Sequence, residues 1–155
     1  AVLGSQVVVG TNYAYLCRGN VVVPDAEPTY LILYVYKNLI GKARILGSQS
    51  IFTGDLEGVN GDFNLNTGKV ELKENAAVSA AFEKAVANLA GVSYEPIAYL
   101  GLRAVDGEGP TYAVLCLEKA GTASAKTKLS MITIYEDLGG KAKIRSTEDV
   151  EIGIS

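Results

Sequence analysis

The residue types on which most enzyme mechanisms depend are scarce in this chain of 155 residues. The chain contains no histidine, which excludes a Ser-His or Cys-His triad, an imidazole metal site and a histidine general base. Its two cysteines, Cys17 and Cys116, lie 99 positions apart, so a CxxC redox pair and a zinc knuckle are excluded as well. We predict that both thiols are buried and structural, and the sequence leaves open whether they pair.

Carboxylates are the remaining candidates for chemistry. Glu148, Asp149 and Glu151 cluster near the end of the chain, but they lack the spacing of a calcium loop. The Gly- and Asp-rich segment 54–62 has neither the Gly-Lys-Ser/Thr ending of a phosphate loop nor the closing glutamate of a calcium loop. We therefore predict a protein that is not an enzyme, with no catalytic residues, no metal and no cofactor.

Composition and charge limit the classes of partner that the chain can have. Hydrophobic residues make up 48% of the chain and charged residues 20%, which is typical of a packed protein rather than a disordered one. The formal net charge of −3 gives no basic footprint for nucleic acid. No apolar run is long enough to cross a bilayer, so no transmembrane segment is expected.

An internal repeat organises the chain. Shifting the sequence by 99 positions aligns residues 13–17 with 112–116, and residues 36–45 with 135–144. Self-similarity at a fixed spacing indicates two copies of one folding unit. We predict a first repeat over residues 1–54, a linker or added hairpin over 55–74, and a second repeat over 75–155.

Each repeat is expected to form four antiparallel strands, because its segments are short, rich in β-branched and aromatic residues, and separated by turn residues. The predicted strands cover residues 2–9, 11–17, 29–36 and 42–52, then 97–105, 111–118, 126–135 and 141–152.

One helix is predicted, between the repeats. Asn75 suits its N-cap and Gly91 its C-terminal end, and Pro96 is expected to prevent any continuation. Its apolar stripe comprises Val78, Phe82, Ala85, Val86 and Leu89.

The first repeat has strands but no helix, and a sheet with one bare apolar face is unstable in water. Its face is therefore expected to be covered by the second repeat, by a partner subunit in a homo-oligomer, or by a helix preceding Ala1, which is the simplest of the three.

Residues Gln6-Val7-Val8-Val9-Gly10-Thr11-Asn12-Tyr13 resemble the Gln-x-Val-x-Gly segment of the cystatins, and of the stefins in particular. In that family the segment forms the first hairpin loop, after a helix and one strand. The resemblance implies an α+β, cystatin-like fold, with two tandem repeats of an antiparallel four-stranded sheet and one helix retained between them.

The resemblance also implies binding residues. Cystatins inhibit papain-like cysteine proteases with a wedge that combines this loop, a second hairpin loop and an N-terminal trunk. The second loop falls on residues 38–41 and carries no tryptophan, since the chain has none. The expected protein-binding residues are Gln6, Val7, Val8, Val9, Gly10, Leu39 and Ile40.

Three functions remain open. The first is a non-enzymatic protein-interaction module of unknown partner, secreted or in the cell envelope, where cystatin-like repeats of this kind often occur. The second is a cystatin-type inhibitor of papain-like cysteine proteases. The third is a small-molecule-binding cone like that of nuclear-transport-factor-like folds. An exposed apolar wedge favours the inhibitor, and a deep closed cone favours the ligand binder.

Overall fold

The computed structural model describes residues 2–19, 29–53, 63–121 and 127–153. The chain divides into two compact units. The first unit comprises residues 1–53 with 152–155, and the second comprises residues 54–151. The first contains an antiparallel sheet of four strands, and the second contains an antiparallel sheet of five strands and the α-helix. The α+β class predicted from the sequence is confirmed.

The strands are β1 (Val2–Val8), β2 (Gly10–Gly19), β3 (Thr29–Lys37), β4 (Ala43–Thr53), β5 (Asn64–Leu65), β6 (Val92–Arg103), β7 (Thr111–Ala120), β8 (Lys128–Glu136) and β9 (Ala142–Asp149). The helix α1 spans Ala76–Val86, after a 3₁₀ turn at Leu72–Glu74.

The first unit is a meander in which each strand pairs with the next, in the order β1-β2-β3-β4. Its residues alternate between the two faces of the sheet, as a pleated strand requires. One face is buried and carries Ala14, Leu16, Tyr30, Ile32, Tyr34 and Phe52. The backbone amide of Gly153 donates to the Tyr34 hydroxyl at 3.2 Å, so the segment that follows the second unit returns to the first sheet.

The second unit places α1 across β6, β8 and β9 of its sheet. Val78 and Phe82 are buried in the core, and Ala85 and Val86 pack against it. Leu89 is 40% exposed, because the helix ends at Val86 and the predicted stripe therefore stops one turn early.

Two local features differ from the prediction. Asn75 precedes the helix, but its side chain caps no helical amide; it donates instead to the carbonyls of Lys69 and Glu71, at 2.8 and 2.9 Å. Strand β6 begins at Val92, five residues before the predicted start, and so includes Pro96. An irregularity between Pro96 and Ala98 accommodates this proline, since a bulge does not require its missing amide hydrogen.

Residues 63–74, for which the sequence predicts a linker or an added hairpin, carry β5 and the 3₁₀ turn. Strand β5 is two residues long and pairs antiparallel with β6, with Leu65 opposite Gly101. Leu65 is only 5% exposed. The preceding segment 54–62 lies outside the described residues.

The two meanders have the same internal register at positions 99 apart. Tyr13 pairs with Val35 and Val35 with Ile45 in the first sheet, just as Tyr112 pairs with Ile134 and Ile134 with Ile144 in the second. Each sheet also has a register shift at the corresponding place, at Tyr34/Val35 and at Thr133/Ile134. Two copies of one folding unit would give this agreement.

Candidate functional site

Both turns that the sequence singled out lie at one end of the first sheet. Strands β1 and β3 run in the same direction, so the turn after β1 and the turn after β3 must lie at the same end of the meander. Val9 at the first turn is 78% exposed, and Leu39 and Ile40 at the second are 81% and 80% exposed. We call these three side chains the hairpin end.

The other predicted binding residues lie along the strands. Gln6, Val7 and Val8 belong to β1, and Gly10 begins β2. Gln6 is exposed and lies opposite Asn12, whose side-chain amide donates to its oxygen at 3.4 Å. The structure therefore brings Val9 together with Leu39 and Ile40, and it places Gln6 three positions back from the turn.

The turn between β1 and β2 is held against β3. Gly10 has φ +116° and is buried, and a Cβ built on it would lie 2.5 Å from the Lys37 carbonyl oxygen and 2.8 Å from the Tyr36 ring. Only glycine fits this approach without displacing the backbone. The Tyr36 hydroxyl donates a short hydrogen bond to the Val9 carbonyl. This contact holds the backbone that presents Val9.

The role of Tyr36 does not follow from the strand pattern of the sequence. A signal was available, because Tyr36 is one of the residues that the repeat preserves, at Tyr135.

The turn between β3 and β4 is closed by Asn38. Its side-chain oxygen accepts from the Ile40 and Lys42 amides, at 3.1 and 2.9 Å, and its backbone amide donates to the Lys42 carbonyl at 2.9 Å. Gly41 adopts φ +90°, as expected from its place in the sequence. These bonds involve only backbone groups and the Asn38 side chain. The side chains of Leu39 and Ile40 take no part in them and are exposed to solvent.

The hairpin end has cationic flanks. Lys37, Lys42 and Arg44 border the second turn and are all exposed. The Arg44 guanidinium carbon lies 5.3 Å from the centre of the Tyr36 ring, within the range of a cation–π contact. The described residues of the first unit, 2–19, 29–53 and 152–153, include no Asp or Glu, so no carboxylate among them neutralises these cations.

The corresponding turn of the second unit has the same backbone bonding and a different surface. Asp137 replaces Asn38 and accepts from the Lys141 amide at 2.9 Å. Leu138 is 78% exposed, but Gly139 follows it where Ile40 follows Leu39. Lys84 on the helix donates to the Gly140 carbonyl at 3.0 Å. This turn is therefore acidic, carries one aliphatic side chain, and is tied to the helix.

Cys116 has little nucleophilic character. Cys116 is fully buried, and this burial, with a smaller contribution from Glu118, raises its pKa to about 12. A thiol with such a pKa stays protonated and unreactive at neutral pH. Cys17 is half-buried, and both cysteines are free thiols.

A small groove lies on the face of the first sheet beside β1. It has a volume of about 210 Å³ and is partly open to solvent, and its lining includes Gly4, Ser5, Gln6, Asn12, Ala14 and Ile152. It is not the deep closed cone that a ligand-binding function predicts.

Within the described ranges, no three Cys, Asp or Glu side chains gather where they could hold a metal ion. No helix in this part of the chain is long and apolar enough to cross a membrane.

Comparison with known proteins gives no relative. No family model, no curated protein and no solved structure matches the chain significantly.

We expect Tyr36→Phe to loosen the β1–β2 turn while the sheet stays folded. The variant loses the hydrogen bond to the Val9 carbonyl, which should cost about 1 kcal/mol. Amide hydrogen exchange near Val9 should then accelerate several-fold. Tyr135→Phe in the second unit is the control, and it should leave exchange at Val9 unchanged; equal exchange in Tyr36→Phe and the parent would contradict this role.

We expect alkaline pH to destabilise the second unit through Cys116. An unfolded thiol ionises near its ordinary pKa of 9.0, whereas the folded one resists ionisation up to about 12. The unfolded state therefore releases its proton first, and the free energy of unfolding should fall as pH rises from 9 towards 12. Urea unfolding at pH 8, 10 and 11 measures this decline, which should be shallower in Cys116→Val. Parallel declines in parent and variant would exclude Cys116 as a cause.

Proposed function

We propose that this chain is a non-enzymatic protein-interaction module that binds its partner through the hairpin end. The observation that carries the proposal is the convergence of Val9, Leu39 and Ile40, all about four-fifths exposed, on two adjacent turns. Aliphatic side chains at the tips of turns are unusual where polar residues are the norm. Burying them against a partner would recover the hydrophobic free energy that exposure forfeits.

The turns support this function because internal hydrogen bonds hold both of them without a partner. Asn38 closes the second turn, and Tyr36 holds the first. A partner therefore has little loop ordering to impose, and this lowers the entropic cost of association. The cationic flanks at Lys37, Lys42 and Arg44 favour a partner with an apolar pocket and an acidic rim.

A papain-like cysteine protease is the specific partner that we propose to test first. Three observations support a cystatin-type wedge. The Gln6–Gly10 segment lies at the turn of one hairpin, Leu39 and Ile40 lie at the turn of a second hairpin, and both turns are at the same end of the sheet. The second unit supports a cystatin-like fold and the tandem repeat, since a short strand, a helix and a four-stranded meander follow one another in it. A secreted or cell-envelope location would be compatible with a cysteine protease as the partner and with another protein partner.

Inhibition of papain tests the protease candidate. We expect the parent to inhibit, and Val9→Asp and Ile40→Asp to inhibit at least about 100-fold more weakly, because a carboxylate buried without a partner costs roughly 3 kcal/mol or more. Leu138→Asp is the matched control, since Leu138 is equally exposed on the corresponding turn of the second unit, and it should inhibit like the parent.

Absence of inhibition by the parent at high micromolar concentration would discard the protease candidate. Equal weakening by all three variants would show that the hairpin end is not the contact.

The broader proposal is tested by comparing the proteins retained on immobilised parent and variants. We expect a partner that Leu138→Asp retains and that Val9→Asp and Ile40→Asp lose. Its retention should also weaken with added salt, because salt screens the Lys37, Lys42 and Arg44 flanks. A partner retained equally by all four chains would contradict the assignment of the surface.

A further inference from the structure

Within the ranges that the structure describes, strand β1 lies at one edge of the first sheet and pairs on one side, with β2. None of its seven residues, Val2–Val8, is charged. Edge strands usually carry charges, prolines or bulges that discourage pairing with another chain. The opposite edge strand, β4, carries Arg44 and two register shifts, whereas β1 carries no charge and no proline and has one register shift, between Val2 and Gly4.

The counterpart of β1 in the second unit is the C-terminal part of β6. Gly4 pairs with Ala14 and Ser5 with Tyr13 in the first sheet. Gly101 pairs with Ala113 and Leu102 with Tyr112 in the second, and these partners are 99 positions apart. Both strands also have a register shift at the residues just before the glycine, at Val2/Gly4 and at Tyr99/Gly101. Gly4 thus corresponds to Gly101, and Ser5 to Leu102.

In the second unit that outer edge is occupied. Leu65 of β5 lies opposite Gly101 and Asn64 opposite Leu102. The Asn66 amide continues the pairing by donating to the Leu100 carbonyl at 2.7 Å, and the Tyr99 amide donates to the Val70 carbonyl at 2.7 Å. In the first unit, no strand within the described residues pairs with the outer edge of β1.

The groove beside β1 adjoins Gly4 and Ser5, which correspond to the residues opposite Leu65 and Asn64 in the second unit, and Ile152 also lines it. It is lined in part by Gly4, Ser5 and Gln6, and a Cβ built on Gly4 meets no atom within 4 Å. The corresponding Gly101 is buried. Among the described residues, the first unit therefore has an edge with no added strand, and a groove adjoins it at the position that corresponds to Leu65 and β5 in the second unit.

We propose that β1 binds an extended peptide segment of a partner protein as an added antiparallel strand, with an aliphatic side chain of that segment opposite Gly4. The segment resembles β5 in its chemistry, an Asn-Leu pair in extended conformation. In an antiparallel pair, every second residue of a strand directs its backbone amide and carbonyl towards the neighbouring strand. The Leu100 carbonyl accepts from Asn66, so the backbone groups of Leu102, two residues later, also point towards β5. Ser5 therefore offers its backbone amide and carbonyl to the added strand. This surface is separate from the hairpin end.

The probe is a synthetic peptide with the sequence of residues 63–70, Phe-Asn-Leu-Asn-Thr-Gly-Lys-Val, titrated into the full 155-residue chain and followed by amide chemical shifts. We expect saturable shift changes over residues 2–6 at millimolar peptide. A peptide carrying Leu65→Asp should change these shifts at least tenfold less, because a carboxylate is unfavourable in the groove.

Two variants of the chain separate backbone pairing from other contacts. Ser5→Pro removes the outward amide and should abolish the shift changes, whereas Ser5→Ala keeps that amide and should bind like the parent. The unperturbed resonances of β3 and β4 report that each variant is folded, and the two peptides decide the question if Ser5→Pro is not.

No saturable change at millimolar peptide, or equal changes with the Leu65→Asp peptide, overturns the proposal. Binding by Ser5→Pro equal to that of Ser5→Ala also overturns it. Shift changes over residues 2–6 that grow with protein concentration alone would assign the edge to a second copy of the chain instead.

Discussion

Antiparallel pairing of consecutive strands determines where the hairpin end and the edge strand β1 lie in the first unit. In a four-stranded meander the first and third strands run in the same direction, so the turns that follow them must lie at the same end of the sheet. The exposure of Val9 beside Leu39 and Ile40 follows from this topology and from the number of residues in each turn. The same topology leaves β1 with one unpaired edge, because the chain offers that edge no later strand within the described residues.

Turn chemistry then decides what the topology exposes. Asn38 and Asp137 occupy corresponding positions and close their turns with the same backbone bonds. The surfaces differ because Ile40 is replaced by Gly139, and because Lys84 reaches one turn from a helix. Two turns with the same backbone bonding can thus present unlike surfaces when the side chains at their tips differ. The backbone bonds are the constant part, and they allow those tips to vary.

Much of the architecture was predictable from local patterns. The strands of the first unit were placed to within two residues, since β-branched and aromatic runs bounded by glycine and proline specify strands well. Strand β5 lies in the segment for which the sequence leaves a linker and an added hairpin open, because two residues show too little periodicity to decide and the strand pairs with the edge of β6. The early start of β6 was missed because Pro96 normally ends regular structure, and only the bulge opposite β7 accommodates it.

The exposed side chains of the candidate site could be predicted from the sequence, but the contacts that hold their backbone in place could not. Leu39 and Ile40 stand out in the sequence as apolar residues at a turn, whereas Val9 is expected in a binding loop only through the resemblance to the cystatins. The contact of Tyr36 with the Val9 carbonyl joins residues 27 positions apart, and no local pattern reveals it. Whether Cys116 or Cys17 was the more buried thiol also depended on packing, since the two occupy corresponding strand positions.

The uneven distribution of charge has a consequence for how the molecule meets others. Residues 1–53 carry four cationic and two acidic side chains, a net charge of +2, whereas residues 54–155 carry ten and fifteen, a net charge of −5. The isoelectric point near 5.0 is therefore an average over two segments of opposite sign. An acidic partner that the whole chain repels at long range is still attracted within a Debye length of about 8–10 Å from the first unit. For an acidic partner of the kind proposed above, attraction would act at close range through the charges of the first segment, and the net charge of the whole chain does not describe it.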